Sequence, residues 1–510
     1  MANSRTKNTV LNTIFGLIVK VVTMFSAFIV RTIFITVLGL QYAGVQGVFS
    51  DILLMLSFAE LGIGSAITFA LYKPIAQNDE VQIGKLMHAY KTIYRVIAMV
   101  VLLLGLTLTP FLGYIVHDVP DITEDIRIIF LLYVINSASS YLLIYKTTFL
   151  TAAQKDYLVS KYRIYISVAR TVLECVVLLV FGNFILYLLI SIASGILQNY
   201  IIAKVAEKEY PILTQPTSQR LDKTEKKSIF ANVRALFLYK VSGVVLNGTD
   251  SIVTSSILGT IWVGMLGNYY LISNQIYGFL MQIFSATSAS IGNLAASSTS
   301  DHQHHVFKKM HFLCFWIYCV TSTCLWTVFA PFIKLWLGED YLLSNIVVAA
   351  IVVEFYIRGM LSPISQFRTS NGLFVQGKYR PVIMAVLNIS ISIILAKQIG
   401  LVGVILGTII SRALTQLWFD PLIIYKYVFK QSVLPFYAEY LRCLFITFTS
   451  CVLSYWCYNL VTTDILVVNF LLASTIAFLI PNVVIYVLFH RNDNFLQVCQ
   501  LLKNIIKRKI

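Results

Sequence analysis

Charged side chains inside the apolar stretches of this 510-residue sequence are the ones whose chemistry calls for an explanation. An ionisable side chain at membrane depth costs about 2.5 to 3.5 kcal/mol on insertion scales, so such residues are either paired or functional. Guanidinium and ammonium groups bind anions, so a surplus of bases indicates an anion site. The candidate set comprises the bases Lys20, Arg31, Arg170, Lys240, Arg358, Arg412 and Arg442 and the acids Glu60, Glu174, Asp250 and Glu354.

In two acid–base pairs of this set the acid and the base are four residues apart, which places both partners on one face of a helix. Arg170 with Glu174, and Glu354 with Arg358, are therefore predicted to be structural intramembrane pairs. Arg442 lies near the predicted cytoplasmic end of its apolar stretch, where its side chain can extend to water. These bases need no further function.

Lys20 and Lys240 are 220 residues apart. Several glycines of the sequence recur at the same offset, which indicates an internal repeat and gives the two lysines equivalent helix positions. Symmetry predicts that they face each other across a cleft. Arg31 follows Lys20 by eleven residues, which at 100° per residue returns to the same helix face about three turns further on. The first helix is therefore predicted to present a basic ladder to the cleft.

The rest of the set extends this basic face. Asn247 follows Lys240 by seven residues, and Asp250 lies about one turn beyond it. Together with Arg412 they are predicted to line a cationic cavity that binds an anion. Glu60 and Asp250 are candidates for coupling to a proton or sodium gradient, because an embedded carboxylate can alternate between charged and neutral states. The alternative is that both acids are counterions of the bases and only hold helices together.

The elements that position these residues are predicted to be transmembrane helices. Of the residues 58% are hydrophobic and 12% charged, against about a quarter charged in soluble proteins. Apolar runs of twenty or more residues cross about 30 Å of hydrocarbon as helices, in which every backbone polar group is satisfied. We predict an all-α polytopic membrane protein with about fourteen spans. The spans are 10–38, 43–72, 92–116, 127–150, 162–181, 184–206, 230–258, 262–292, 310–336, 343–367, 380–398, 400–425, 436–460 and 465–489.

The distribution of basic residues predicts the topology. On this map 29 of the 39 Lys and Arg residues fall at one face, 3 at the other and 7 inside spans. By the positive-inside rule the basic face is cytoplasmic, and both chain termini lie there. The formal charge of +16 is thus distributed along the cytoplasmic face and not gathered into one domain, so nucleic acid is not an expected partner.

The internal repeat is marked by three sets of residues that recur in the same order at a nearly constant offset. Gly39, Gly44 and Gly47 recur as Gly259, Gly264 and Gly267; Pro110-Phe111 recurs as Pro331-Phe332; and Gln154 and Tyr157 recur as Gln376 and Tyr379. A duplicated unit of six helices returns to its starting side, so the copy has the same orientation and suits alternating access between two lobes. The predicted domains are a six-helix lobe, 1–206; a cytoplasmic linker, 207–229; a second six-helix lobe, 230–430; and two extra helices with a basic cytoplasmic tail, 431–510.

Several other functions find no support in the sequence. The eight cysteines show no metal-ligand spacing, and the histidines at 302, 304 and 305 have no such partners beyond Asp301, so no metal site is expected. No phosphate-binding loop of the ATPase type appears, so ATP hydrolysis is not expected. No catalytic residues and no cofactor are predicted. A proton or sodium gradient is a candidate energy source.

Two stretches resemble the Wzx-type polysaccharide flippases of the multidrug, oligosaccharidyl-lipid and polysaccharide exporter superfamily. They are Phe58-Ala-Glu-Leu-Gly-Ile-Gly-Ser-Ala-Ile67 with Leu71-Tyr-Lys-Pro-Ile-Ala76, and Thr249-Asp-Ser-Ile-Val253 with the glycines that follow it. The resemblance covers roughly residues 8 to 430. It implies two six-helix lobes plus two helices, in agreement with the repeat.

The resemblance further implies a function. Such flippases translocate an undecaprenyl-diphosphate-linked oligosaccharide from the cytoplasmic to the outer leaflet of the bacterial cytoplasmic membrane for capsule, O-antigen or exopolysaccharide assembly. The implied cationic central cavity maps by position and charge onto Lys20, Arg31, Lys240 and Arg412. The expected partners are this lipid-linked substrate, membrane lipid, and the polymerase and chain-length machinery.

Two other classes remain open on the sequence. One is another exporter of the same superfamily, either a lipid II flippase or a multidrug antiporter; a cleft for cationic drugs should favour carboxylates, whereas this set favours bases. The other is a membrane polysaccharide polymerase or ligase. Such an enzyme is expected to need a sizeable outer loop, and every predicted outer loop here is short.

Overall fold

The computed structural model describes residues 2–60, 63–116, 122–214, 221–222, 248–285, 291–292, 294–295, 298–373, 376–377 and 379–507. Throughout these residues the regular secondary structure is helical, and none of them lies in a strand. Long apolar runs adopt helices because a helix satisfies its own backbone hydrogen bonds. The predicted all-α fold class is confirmed.

The chain forms two compact units, Met1–Gly264 and Met265–Ile510. Most of the predicted linker, 207–229, lies outside the described residues. The helices of the first unit are α1 (Ala2–Leu38), α2 (Leu40–Leu56), α3 (Ile63–Gln77), α4 (Glu80–Leu108), α5 (Leu112–Ile115), α6 (Ile126–Tyr141), α7 (Ile144–Ala152), α8 (Asp156–Phe181), α9 (Phe184–Glu209) and α10 (Asp250–Leu258).

Helix α11 (Thr260–Ser285) begins in the first unit and continues into the second. The second unit continues with α12 (Ser300–Trp336), α13 (Asn345–Met360), α14 (Ser362–Ser370), α15 (Arg380–Ile399), α16 (Leu401–Arg412), α17 (Trp418–Ile424), α18 (Leu434–Asn459), α19 (Leu466–Phe489) and α20 (Asp493–Lys507). Two π-helical segments, Ala413–Leu417 and Tyr425–Phe429, flank α17.

Each of the fourteen predicted spans overlaps a described helix, and the span 230–258 is described only where it ends, in α10. Among the described residues ten helical segments are long and apolar enough to cross a membrane, and α6 with α7, bent by 43°, makes an eleventh when counted as one span. The chain is therefore a multi-pass membrane protein. Helix α11 is long enough but carries many Asn, Gln, Ser and Tyr side chains.

Among the described residues five predicted spans are interrupted, the span 92–116 by a 3-10 segment, the span 400–425 by π-helical segments, and three others by a break between helices. The span 43–72 is divided by a 3-10 turn at Ser57–Glu60, and the span 127–150 is divided between α6 and α7. The span 343–367 is divided between α13 and α14, where proline stands in the first turn of α14. Irregular backbone at membrane depth is tolerated where it is buried in protein or lines a cavity, so these breaks mark positions of interest.

The internal repeat is visible in the backbone. Gly39 and its counterpart Gly259 precede α2 and α11 with nearly the same conformation, φ 86° and 98°. A residue with a Cβ is strained at such a φ. The fourth span of each half is broken, and beyond each break a base on the following short helix pairs with an acid further along the chain. These pairs are Lys146 with Glu207 and Arg368 with Asp420.

Two of the repeated glycines allow a close approach within the first unit. A Cβ added to Gly44 of α2 would lie 2.0 Å from the carbonyl oxygen of Thr260, and one added to Gly264 would lie 2.5 Å from the carbonyl oxygen of Leu40. Small residues permit this contact between membrane helices, which holds the start of α11 against the start of α2.

The predicted basic tail contains a helix, α20, that the sequence analysis did not identify. Phe495 stacks on Trp316 of α12 with ring centroids 5.2 Å apart, and Val498 is 4% exposed. Apolar residues recur on one face of α20 at helical spacing, which explains why a helix forms in a segment too polar to span a membrane.

Candidate substrate-binding site

A cluster of two arginines and one glutamate lies inside the second unit. Glu354 and Arg358 occupy one face of α13, and Arg412 ends α16 immediately before a π-helical segment. Glu354 Oε1 lies 3.4 Å from Arg412 Nη2 and 3.8 Å from Arg358 Nε. We call these three residues the arginine cluster. Its formal charge is +1, because one carboxylate serves two guanidinium groups.

The arginine cluster lies far from the starts of its helices. Glu354 is nine residues from the start of α13 and Arg412 eleven from the start of α16. At a rise of 1.5 Å per residue these are depths of about 14 and 17 Å, roughly half of a 30 Å hydrocarbon layer. The π-helical segment that follows Arg412 is a feature often found at functional sites.

The polar helix α11 supplies the other neighbours of the cluster. Arg358 Nη2 donates to Asn274 Oδ1 at 2.9 Å, and the Arg358 guanidinium carbon lies 4.0 Å from the centre of the Tyr277 ring. These contacts orient the planar guanidinium group. The cation–π contact adds about 0.5 to 2 kcal/mol, depending on desolvation.

The arginine cluster retains unused hydrogen-bonding capacity. Neither Arg358 Nε nor Arg412 Nε has a hydrogen-bond partner among the described residues, although both atoms are buried. A buried donor without a partner costs about 1 to 3 kcal/mol. An anion that accepted these hydrogen bonds would remove that cost.

A second cluster of the same composition provides a contrast. Arg368 Nη1 donates to Asp420 Oδ1 at 2.6 Å, and Arg380 Nη1 donates to Asp420 Oδ2 at 2.8 Å. Arg368 also donates to the carbonyl oxygens of Leu373 and Gln376 at 3.1 and 2.7 Å. Here each nitrogen of Arg368 is used internally. We call Arg368, Arg380 and Asp420 the capping cluster, because Arg368 bonds to two carbonyl oxygens beyond the end of α14.

The first unit forms the other predicted pair. Arg170 Nε donates to Glu174 Oε1 at 2.6 Å, and Arg170 Nη2 donates to Ser191 Oγ at 2.7 Å. Arg31 Nη2 donates to the carbonyl oxygen of Gly264 at 2.9 Å. Arg31 thus contacts the start of α11, and a role in helix packing accompanies its predicted role in substrate binding.

The remaining predicted cavity residues are described unevenly. Lys20 is exposed on α1, whereas Lys240 and Asn247 lie outside the described residues. Asp250 is half-buried in the first turn of α10. The structure therefore unites Arg412 with the predicted structural pair Glu354–Arg358, which sequence spacing had assigned separately. It does not relate Lys20 to Lys240.

Glu60 lines an open cavity of about 650 Å³ within the first unit. It ends the turn that breaks the second span, and Tyr94 OH donates to its Oε1 at 3.1 Å. The other lining residues are Ser57 of the same turn and residues of α3, α4 and α7. Glu60 is therefore placed at a cavity, as a functional carboxylate requires.

A second cavity, of about 620 Å³, is an apolar groove in the second unit. Its walls come from α12, α13 and α18, and include Trp326, Val353, Phe445 and Phe448. Helix α18 belongs to the pair of extra helices that have no counterpart in the repeat. The groove thus places an extra helix beside two helices of the second lobe.

Three further carboxylates lie within predicted spans and are absent from the predicted set. Asp420 falls in the span 400–425 and is 1% exposed, Asp51 falls in the span 43–72, and Glu439 falls in the span 436–460. Their positions inside apolar runs were a sufficient signal for all three. That the partners of Asp420 are Arg368 and Arg380 is a tertiary contact, which spacing along the chain does not reveal.

The fold of many membrane-spanning helices is shared with solved structures of membrane proteins. The chain is similar to a lipid II flippase, MurJ, in its inward closed conformation, with a TM-score of 0.63, 13% identity, and coverage of 94% of this chain and 99% of that one. It is also similar to a mutant of the MATE transporter VcmN of Vibrio cholerae, with a TM-score of 0.58, 13% identity, and coverage of 84% and 98%.

A third structure, the MATE multidrug transporter DinF-BH, has a TM-score of 0.57, 16% identity, and coverage of 81% of this chain and 96% of that one. No protein-family model and no curated protein sequence matches the chain. The chain thus shares the fold of these solved structures. These neighbours are transporters and flippases, not enzymes.

Proposed function

We propose that the protein is a flippase that moves an undecaprenyl-diphosphate-linked oligosaccharide repeat unit across the bacterial cytoplasmic membrane. The product would serve the assembly of capsule, O-antigen or exopolysaccharide. Its neighbours would be the polysaccharide polymerase and the chain-length machinery. The exporter fold and the Wzx-like sequence stretches support this proposal, and alternating access between the two lobes is the proposed mechanism.

The arginine cluster is the observation that carries the proposal. It offers a net positive charge and two buried Nε donors without hydrogen-bond partners among the described residues, at a depth of roughly half the hydrocarbon layer from the starts of α13 and α16. A diphosphate is an anion with several acceptor oxygens, and guanidinium groups bind phosphate through paired hydrogen bonds. A cationic drug would be repelled by the same cluster.

The apolar groove supports a substrate with a lipid part. Burial of apolar surface contributes about 25 cal/mol per Å², and a long prenyl chain in the groove exchanges one apolar environment for another at little cost. The proposed substrate is therefore amphipathic. Its head group is bound by the arginines, and its tail remains in lipid or in the groove.

Energy coupling is proposed to involve a proton or sodium gradient acting through Glu60 or Asp250. Glu60 lines the cavity of the first unit, and Asp250 opens α10. Asp250→Asn removes the charge with little change of shape. Wild-type levels of surface polysaccharide in cells that express this variant normally would exclude coupling through Asp250.

The proposal is tested with purified full-length protein in lipid nanodiscs and with undecaprenyl diphosphate as the probe. Arg358→Gln and Arg412→Gln each remove a charge-assisted interaction of about 1.5 to 3 kcal/mol, so each should weaken binding about 10- to 150-fold. Arg163→Gln, which changes an exposed arginine near the start of α8, is the control and should bind normally. In cells, deletion of the gene should trap lipid-linked repeat units in the cytoplasmic leaflet. Normal binding by both cluster variants would refute the proposal.

A lipid II flippase is the second candidate, favoured by the similarity to MurJ over nearly the whole chain. The two functions differ in their genetics. A lipid II flippase should restore growth to cells depleted of their own, whereas a flippase of polysaccharide repeat units should restore only the surface polysaccharide.

A further inference from the structure

The open cavity of the first unit has a chemistry distinct from that of the arginine cluster. Seven of its eleven lining residues carry hydroxyl groups and one, Glu60, carries a carboxylate, while none of these lining residues is Lys, Arg or His. We call it the hydroxyl cavity. Its formal charge of −1 disfavours a diphosphate, so its ligand is of another kind.

The hydroxyl cavity is rich in hydrogen-bond acceptors. Thr68 Oγ1 donates to the carbonyl oxygen of Gly64 at 2.8 Å, and Thr148 Oγ1 donates to that of Ile144 at 3.0 Å. Their protons are used within the helices, which leaves the oxygen lone pairs as acceptors. Thr147 Oγ1 is buried without a hydrogen-bond partner in the described part of the chain, so it adds an unused donor.

Aromatic side chains stand at the same cavity. Phe69 and Tyr72 of α3 line it with rings 6.3 Å apart and nearly perpendicular, and they are 69% and 49% exposed. An aromatic ring offers a flat apolar surface, on which the C–H face of a pyranose ring can pack, and the tyrosine adds a hydroxyl group.

The backbone around the cavity is irregular at two points. The turn Ser57–Glu60 interrupts the second span, and the fourth span is broken between α6 and α7 just before Ile144. Such breaks at membrane depth are tolerated where protein or a water-filled cavity covers them, which fits a hydrated ligand. Tyr72 and Thr151 precede Lys73 and Lys155 of the predicted cytoplasmic face, so the cavity belongs to the cytoplasmic half.

We propose that the hydroxyl cavity binds the glycan part of the lipid-linked substrate as it is loaded from the cytoplasmic leaflet. The ligand class is a neutral, hydroxyl-rich sugar, held by acceptor oxygens and Glu60 and packed on Phe69 and Tyr72. The volume of about 650 Å³ lies within the range of roughly 300 to 1,000 Å³ for small-molecule sites and exceeds what a single cation needs. This inference rests on the proposed function, because it divides one substrate between a sugar site and a diphosphate site.

The test measures binding to full-length protein in nanodiscs by calorimetry with two probes. One probe is the phosphate-free oligosaccharide released by mild acid from the host's own lipid-linked repeat unit, and the other is undecaprenyl diphosphate. Tyr72→Ala and Glu60→Gln should each raise the Kd for the oligosaccharide at least about tenfold, and Thr148→Val about threefold. All three should bind undecaprenyl diphosphate within twofold of wild type, which also shows that they are folded.

Thr369→Val is the matched control. Thr369 is exposed on α14, and its hydroxyl donates to the carbonyl oxygen of Ser365 at 2.8 Å, as Thr148 does within α7. This variant should bind both probes like the wild type. A threefold loss of oligosaccharide affinity in the control would mean that helix distortion, and not the cavity, explains the effect of Thr148→Val, and would overturn the inference.

The remaining outcomes separate the two proposals. Unchanged oligosaccharide affinity in the three cavity variants overturns the sugar site. A wild-type protein that binds undecaprenyl diphosphate but not the oligosaccharide overturns the sugar site and leaves the proposed function standing. A wild-type protein that binds the oligosaccharide but not undecaprenyl diphosphate supports the cavity and refutes the diphosphate site.

Discussion

Glu354→Gln tests the arginine cluster through the sign of its effect. Glu354 neutralises one of the two guanidinium groups, at 3.4 Å from Arg412 and 3.8 Å from Arg358. The substitution keeps the shape of the side chain and changes the cluster from +1 to +2. If the cluster binds an anion, loss of the acid should strengthen binding, whereas loss of either arginine should weaken it.

The expected change in affinity follows from the interactions that are lost when Glu354 is replaced. Two unit charges about 4 Å apart attract by about 4 kcal/mol at an effective dielectric constant of 20, before the cost of desolvation. Charge-assisted hydrogen bonds transferred to a phosphate contribute about 1.5 to 3 kcal/mol, and repulsion between the two arginines offsets part of the gain. We expect undecaprenyl diphosphate to bind about tenfold more tightly to the variant, a change of about 1.4 kcal/mol.

The assay is titration of undecaprenyl diphosphate into nanodiscs that hold the full-length variant, at low and at moderate salt. Without ligand the variant should melt at a lower temperature than the wild type, because two buried guanidinium groups share no carboxylate. Added ligand should then raise its melting temperature by more than it raises that of the wild type.

Glu174→Gln is the matched control for this experiment. Glu174 is 3% exposed and pairs with Arg170 four residues earlier on the same helix, at 2.6 Å. Its replacement should destabilise the protein without tightening the binding of undecaprenyl diphosphate. A folded Glu354→Gln protein that binds the probe with the same or lower affinity than the wild type would refute the assignment of the cluster as an anion site.

Three further predictions concern packing and the basic ladder. Gly44→Leu should abolish folding or transport, because its Cβ would lie 2.0 Å from the carbonyl oxygen of Thr260. The control Gly16→Leu should express normally, because nothing lies within 4 Å of its Cβ, and equal expression yields of the two variants would contradict the close helix contact. Asp420→Asn leaves Arg368 and Arg380 without their shared carboxylate, so it should lower the free energy of unfolding by about 3 to 5 kcal/mol. The measurement is the melting temperature in detergent, which should fall; an unchanged melting temperature would contradict this prediction. Lys20→Ala combined with Lys240→Ala should block export of surface polysaccharide, and normal export would remove the basic ladder from the mechanism.

The helical fold was predictable because the length of the apolar runs and the position of the basic residues between them can both be read from the sequence. Each predicted span overlaps a helix, and Gly39 and Gly259 share the conformation that the repeat implies. The helix breaks were not predictable in the same way. The serine residues that precede the bend between α6 and α7 do not by themselves separate a continuous helix from a bent one, because tertiary packing decides between them.

The candidate site was predictable only in part. Spacing of four residues paired Arg170 with Glu174, and the two side chains lie in contact. The same rule paired Glu354 with Arg358, but Arg412, three helices further along the chain, lies nearer to that carboxylate. Contacts between distant helices follow from packing and leave no local pattern in the sequence.

The two clusters of two arginines and one acid show why composition alone does not identify a transport site. In the capping cluster the donors of Arg368 are used at 2.6 to 3.1 Å, so an incoming anion would have to break strong contacts to gain others. In the arginine cluster the carboxylate lies at 3.4 Å from Arg412 Nη2 and 3.8 Å from Arg358 Nε, and the Nε atoms of both arginines lack hydrogen-bond partners among the described residues. A site that must bind and then release its substrate needs long, weak internal contacts such as those of the arginine cluster. A phosphate can then replace the carboxylate at small cost, and the carboxylate pairs with the arginines again when the phosphate leaves. The loosely bonded cluster is therefore the one suited to transport, and the tightly bonded one to stability.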